Sequence, residues 1–442
     1  MKTLYTYQQV ELDKALAHDS WFNASEMGLG KTLMTVEWLR LKGAQVVVIV
    51  CPLNTFESWT KTIQEQIPDM PVFELKAGNK DVKNFGYLAR GDRGFYLIGW
   101  EMMRTGALTG TKADAVVADE THKQANYGRS DQSIMLREFT SKLKCALSGT
   151  PAANKPEGIF ATLNWLWPQQ YKSFWNWTQQ YWRQIRNGAV FTITRELKPG
   201  QVIKDIPMFT RLLRAEHRDD MPAVLPEVQI KVDITPTQRK LYDRLVEEAG
   251  VWLGDDFMST SMSLVENMRL RQILLGVPSI VDGEVTFKEN AASSKVDALI
   301  EVLQTDEFKD QTFLVLTHSA RFVPTVIAKL AKKGITAAGF TGESKADLKE
   351  FGKSYRVLVA GIAAIGEGTD GLQNVCHNMF WLSKHPNALL NTQASGRLDR
   401  PGQTEPVNVW NTYVPWTVDE DSLERLDEIQ DALDDMIDRK HD

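Results

Sequence analysis

The sequence predicts an α/β protein of two lobes, each a parallel sheet with flanking helices, plus helical insertions. Apolar runs of three to five residues end at polar or glycine-rich turns, and helix-like segments follow them, the pattern of buried parallel strands. That texture stops mid-chain and resumes later. The length, 442 residues, suits two lobes with insertions at roughly 150 residues per domain.

The runs follow in order. Val46–Val50 ends at Cys51-Pro52, Tyr96–Ile98 at Gly99, Ala115–Ala118 at Asp119-Glu120, and Cys145–Leu147 at Ser148-Gly149-Thr150-Pro151. Trp165–Trp182 then holds five of the 13 tryptophans, which either glue a helical insertion to a lobe or form a base-stacking surface. Thr237–Ile273 has helical apolar spacing. The strand pattern returns at Phe313–Leu316, Val357–Ala360, Met379–Leu382 and Val407–Trp410. Leu423, Leu426, Ile429, Leu433 and Ile437 mark a closing amphipathic helix that docks on its own lobe or on a partner.

Apolar residues at 43% and charged residues at 24% exclude disordered and fibrous classes. The net charge is −6, but Asp419–Asp442 alone carries 11 acids and 3 bases. The rest of the chain is nearly neutral, so overall acidity is no argument against a nucleic-acid partner. Cys51, Cys145 and Cys376 lie too far apart for a disulfide framework or a close-spaced zinc site. The start lacks a signal-peptide core and no run reaches the length of a membrane helix, so the sequence reads as soluble and intracellular.

Ser25–Thr32 reads SEMGLGKT before a helix-like stretch. In such a turn the backbone N–H groups of Met27, Gly28, Leu29 and Gly30 face phosphate oxygens. Lys31 reaches the β- and γ-phosphates, and the Thr32 hydroxyl holds Mg²⁺. Ser25 stands where the strict pattern has glycine. Asp119 at a strand end suits Mg²⁺, and Glu120 suits a general base for water, although acidic pairs also serve as helix caps. The two elements together point to ATP hydrolysis. Arg397 and Arg400 are three apart and so share a helical face, suited either to the γ-phosphate of a nucleotide held by the other lobe or to surface ion pairs.

In this order the pieces resemble superfamily-two helicases, and more narrowly the Swi/Snf branch of duplex-DNA translocases. Leu4-x-x-Tyr7-Gln8 resembles the adenine-reading element, SEMGLGKT motif I, CPLNTFESW motif Ia, and Asp119–His122 a DETH form of the DEAH box. Leu147–Pro168 resembles motif III and its continuation, with Ser148, Gly149 and Thr150 in the interlobe-coupling place. Leu212–Leu245 resembles the link between lobes, and Ser293-Ser294-Lys295 the entry to lobe two. Gly366–Leu372 resembles motif V and Gln393–Gln403 motif VI, which makes Gly368, Asp370 and Gln393 ATP-binding candidates. Asp370 stands where the family usually has Asn, and Asp399 where it has His.

The resemblance implies two RecA-like lobes with ATP and Mg²⁺ between them. Residues 1–225 would form the ATP-binding lobe, with a helical protrusion at about 165–210. Residues 226–442 would form the C-terminal lobe, with a protrusion at about 237–290 and an acidic helix at 419–442. No accessory module is recognisable, so the sequence reads as a bare, monomeric motor, its acidic helix open to a protein partner. Candidate DNA-phosphate contacts are Asn54, Thr55, Trp100, Thr317, His318, Thr341 and Gly342; basic clusters occur at Arg211–Arg218 and Arg269–Arg271. Such groups bind the backbone of duplex or branched DNA without reading sequence. The expected activity is DNA-stimulated ATP hydrolysis coupled to translocation on duplex DNA. A strand-unwinding DNA or RNA helicase is the nearest alternative, and a non-catalytic clamp a third.

Overall fold

The computed structural model describes the chain except residues 1, 77–81, 107, 109, 125–129, 153–154, 188–189, 218–221, 253–263, 282–283, 367–368 and 439–442. It divides into two compact units, Met1–Asp219 with Ile429–Asp442, and Asp220–Glu428.

The first unit contains β1 (Ser20–Asn23), β2 (Val46–Cys51), β3 (Val72–Leu75), β4 (Gly94–Gly99), β5 (Lys112–Asp119), β6 (Thr140–Leu147), β7 (Trp182–Asn187), β8 (Val190–Glu196) and β9 (Phe209–Thr210). Seven of them form a sheet in the order β3-β4-β2-β5-β6-β1-β9, with every neighbouring pair parallel. Alternate residues feed two cores: Val48, Val50, Tyr96, Ile98, Val116 and Ala118 on one face, Val47, Ile49, Phe95, Leu97, Ala115 and Val117 on the other. Burial on both faces explains the unbroken apolar runs.

The second unit contains β10 (Val228–Lys231), β11 (Pro278–Val281), β12 (Glu284–Phe287), β13 (Phe313–Thr317), β14 (Ala337–Phe340), β15 (Val357–Gly361), β16 (Asn378–Trp381) and β17 (Asn408–Tyr413). Its sheet, β10-β17-β16-β13-β15-β14, is also parallel throughout. Ser293 caps the helix Ser294–Gln304 by accepting from the Val296 N–H. That cap seats Lys295, 1% exposed, whose ammonium bonds the Leu382 and Thr412 carbonyls and pairs with Asp419. The α/β class expected from the sequence is thus met in both units.

Three expectations differ. The insertion at 165–210 is not all helical: after the helix Phe174–Tyr181 the chain forms an antiparallel hairpin of β7 and β8. Trp165, Trp177 and Trp182 bury into the first unit's core beside Phe160 and Tyr181, while Trp175 stays 46% exposed. The segment 237–290 likewise joins the helices Pro236–Trp252 and Leu264–Leu275 to a second hairpin, β11 and β12. Last, Ile429–Asp442, expected with the second lobe, belongs to the first unit, because Leu433, Met436 and Ile437 pack into its core. Among the described residues no helix is long and apolar enough to cross a membrane, and the three cysteines are free and buried.

Candidate functional site

The loop Ser25–Gly30 leaves the end of β1 and delivers the chain into the helix Lys31–Leu41. Gly28 and Gly30 have φ of 85° and 79°, which glycine adopts without a steric penalty. At Gly30 a side chain has no room either, since a Cβ would sit 2.3 Å from Nε2 of Gln8. Gln8 is itself buried. Its Oε1 accepts from the Tyr5 N–H at 2.9 Å and its Nε2 donates to the Leu29 carbonyl at 3.0 Å. Tyr7 stacks on His217, ring centroids 4.5 Å apart. Of the adenine-reading candidates, Gln8 therefore packs directly on the phosphate-loop candidates, while Tyr7 faces His217.

Lys31 donates to the carbonyls of Ser25 at 2.7 Å and Glu26 at 3.1 Å, which leaves one of its three N–H donors. Burial lowers its pKa, opposed by Glu120 and Asp119. Asp119 ends β5. Its carboxylate accepts from Nε1 of Trp59 at 3.0 Å and from the Glu120 N–H at 3.0 Å, and its carbonyl accepts from Nε1 of Trp100 at 2.9 Å. Burial and the neighbouring Glu120 push the Asp119 carboxyl up to about 6. Glu120 has a left-handed backbone (φ 52°, ψ 51°), a conformation that costs a non-glycine residue energy and aims its side chain away from the strand direction. Its Oε2 lies 3.2 Å from Nδ1 of His122, and that nitrogen lies 3.1 Å from Oγ of Ser148. The Ser148 hydroxyl in turn accepts from the Thr150 N–H. A Cβ on Gly149 would lie 3.3 Å from Met27 and 3.7 Å from Nζ of Lys31. Three stretches far apart in sequence, 25–32, 119–122 and 148–150, thus meet at one end of the sheet.

A fourth stretch completes the place; the sequence offered its Arg211 and Arg214 only as a basic cluster for DNA, not as neighbours of the nucleotide site. Residues 208–214 run beside β1 and its loop: the N–H groups of Ala24 and Glu26 donate to the carbonyls of Thr210 and Leu212. Ser25, the departure from the usual motif, is fully buried. Its hydroxyl bonds Asn23 at 2.7 Å and accepts from the Leu212 N–H at 3.3 Å. The Arg214 N–H donates to Glu26. Trp59 was missed, although it lies inside a quoted motif; a tryptophan reads as core unless its N–H partner is known.

In the second unit, Arg397 donates to the carbonyls of Thr369 and Gly366, and Arg400 to the carbonyl of Thr369 at 3.3 Å. They do not share a helical face as expected, because the helix Ala388–Ser395 ends before them; a turn brings them together instead. Asp370 pairs with Arg400 at 3.3 Å and accepts from the Gly371 N–H. Gln393 lies against Gly366. Gly368 falls outside the described residues.

The DNA candidates divide by exposure. Asn54 and Gly342 are exposed and Thr55 is half-buried, with its hydroxyl on the Pro52 carbonyl. Trp100, Thr317 and Thr341 are buried. His318 bonds Ser383 at 2.7 Å, and burial beside Arg271 and Lys295 holds its pKa well below the usual value, so the imidazole is neutral.

The family model for the SNF2-related domain matches residues 19–275. Over 467 residues the chain is 22% identical to Protein CHROMATIN REMODELING 5 of Arabidopsis thaliana, covering 96% of this chain and 26% of that protein. Over 432 residues it is 24% identical to the DNA annealing helicase and endonuclease ZRANB3 of Bos taurus, covering 90% and 37%. The chain therefore spans well under half the length of these curated relatives. Among solved structures, the Pyrococcus furiosus Hef helicase domain shares the fold, with a TM-score of 0.57 at 16% identity over 95% of this chain and 97% of that one.

Proposed function

The chain belongs to the SNF2-related domain family, and on that premise we propose that it is a DNA-stimulated ATP hydrolase that translocates on duplex DNA and remodels protein–DNA or branched DNA structures. The observation that carries the reading is the convergence of Lys31, Asp119, Glu120 and Ser148 at the glycine loop. Gln8 and Tyr7 bind the adenine. The backbone N–H groups of Met27–Thr32 and the free donor of Lys31 take the phosphates. Glu120 accepts the proton of the attacking water, and His122 carries its orientation to the Ser148-Gly149-Thr150 turn. Arg397 and Arg400 are assigned to the γ-phosphate, where an arginine is worth roughly 10³–10⁵ in rate.

The residues fit Mg²⁺. Thr32 and Asp119 offer hard oxygen donors, and burial and the neighbouring Glu120 disfavour the ionised Asp119 carboxylate, a penalty a bound cation would offset. When bound, the ion would offset phosphate and carboxylate charge together. Asn54, Thr55 and Gly342 are the DNA-phosphate contacts we retain, since their polar groups lie at or near the surface. The DNA annealing activity for which the bovine relative is named supports DNA as the polymer.

The test is steady-state ATP hydrolysis without nucleic acid and with duplex, branched or single-stranded DNA or RNA, with Lys31→Ala as the blank. Stimulation chiefly by duplex or branched DNA is expected. Stimulation chiefly by single strands or RNA would replace the translocase with an unwinding helicase. Undiminished turnover by Lys31→Ala would refute the phosphate-loop assignment.

A further inference from the structure

The side chain of Arg211 has no part in the reaction as described, yet it occupies the junction of the loops that form the site. Its Nη1 donates to the Ala24 carbonyl at 2.7 Å and to the Gly149 carbonyl at 3.1 Å. Ala24 precedes Ser25, whose carbonyl holds Lys31, and Gly149 is the residue whose added Cβ would approach Nζ of Lys31. The opposite side of the guanidinium is gripped by a carboxylate from the far end of the chain. Nε donates to Oδ1 of Asp438 at 2.6 Å and Nη2 to Oδ2 at 2.8 Å, a fork-to-fork pair that fixes the plane of the group. The Arg211 side chain is 14% exposed and that of Asp438 25%, so the pair is shielded and held at short range. Four of the five guanidinium donors are thereby used.

We propose that Arg211 is a positioning residue for the nucleotide site, tying the phosphate loop to the Ser148-Gly149-Thr150 turn, and that Asp438, the residue that follows the helix Val418–Ile437, sets its orientation. The acidic end of the chain is then a component of the nucleotide site. Burial and the nearby Asp438 and Asp431 raise the pKa of Asp434 on the preceding helix, opposed by its hydrogen bond to Gln430 and by Arg211. With the fork released, the guanidinium rotates about its side-chain torsions. The two carbonyls lose a shared donor, and the spacing of the loops around Lys31 relaxes. The effect falls on affinity for nucleotide before it falls on the chemical step, because Glu120 and Asp119 keep their own partners.

The proposal rests on the ATP-site reading and is tested with the full chain. Wild type, Asp438→Asn, Asp438→Glu, Arg211→Lys and Asp434→Asn are compared by KM for ATP, kcat, equilibrium titration with a fluorescent ADP analogue, and thermal midpoint. Asp438→Asn and Arg211→Lys, which keep size or charge but lose the fork, are expected to weaken nucleotide binding about five- to tenfold with kcat within about twofold, the scale of one charge-assisted hydrogen bond. Asp438→Glu restores binding at least in part. Asp434→Asn, which removes the same charge one turn earlier, on the helix Val418–Ile437, without touching the fork, leaves KM unchanged. A lower thermal midpoint with KM within about twofold of wild type would overturn the proposal, reducing the pair to helix docking. An equal loss in Asp434→Asn would also overturn it, since general charge would then be the cause. Failure of the underlying reading is separate: Lys31→Ala would then turn over ATP at the wild-type rate.

Discussion

Asp119→Asn should make the nucleotide-free protein more stable while abolishing ATP hydrolysis. In the fold the Asp119 carboxyl keeps its proton to about pH 6, and in the unfolded chain to about pH 4. The native state thus binds more protons between those values, so this group's contribution to stability falls as pH rises through that window and is level above it. At about 1.4 kcal/mol per pH unit, the ionised carboxylate costs the native state about 3 kcal/mol at pH 7.5 and about half that at pH 5. Asparagine removes that cost. Its amide nitrogen, however, faces one of two donors, the Trp59 indole or the Glu120 N–H, and losing that bond costs about 1 kcal/mol. The net gain is about 2 kcal/mol at pH 7.5 and under about 1 kcal/mol at pH 5. At 2–4 °C per kcal/mol for a unit of this size, the midpoint should rise by about 4–8 °C at pH 7.5 and about 1–2 °C at pH 5. Scanning calorimetry of both proteins at the two pH values, beside turnover assays, measures this. A variant no more stable than wild type at pH 7.5, or a gap that does not shrink at pH 5, would refute the reasoning.

Trp59→Phe deletes the N–H that stabilises the ionised Asp119. Turnover should drop about tenfold or more, on the scale of a hydrogen bond to a charged group, and the acid limb of kcat/KM should move to higher pH; an unchanged pH profile would count against it. His122→Ala breaks the link from Glu120 to Ser148. Nucleotide binding by titration should persist while stimulation by duplex DNA falls by about fivefold or more, the lower range of coupling energies between sites. Arg400→Ala removes a guanidinium that now rests on Asp370 and the Thr369 carbonyl. DNA-stimulated turnover should fall by about 10³ or more; a loss of only about twofold would return Arg400 to a structural role.

What the sequence made legible was local. The strands buried on both faces announced themselves as apolar runs, and β2, β4, β5, β13 and β15 lie where those runs are. The short strands did not: β1 reads SWFN and β9 is two residues, and both exist because neighbours pair with them. The antiparallel pair of β7 and β8 was hidden by the tryptophan-rich texture around it. In the site, Lys31 stood out at the start of a helix behind a glycine loop, and Asp119 and Glu120 at the end of one apolar strand. Trp59 did not, and Arg211 stood out only as part of a basic cluster for DNA, since their partners here lie 60 and 227 residues away. The expected helical face of Arg397 and Arg400 was a reasonable inference from spacing, but the Gly396 break and the turn beyond it replace that face with convergence on one carbonyl.

The stretch 208–214 that backs the phosphate loop has a consequence for synthesis of the chain. The loop itself leaves the ribosome early, near residue 30, but the strand that fixes Ala24 and Glu26 follows about 187 residues later. At about 5–20 residues per second, that is roughly 10–40 s during which the glycine loop has no outer neighbour. A nascent chain shorter than this holds the motif without the site. Nucleotide can then serve as a folding ligand only after the first unit's last strand is made, and its stabilising effect should appear abruptly with chain length.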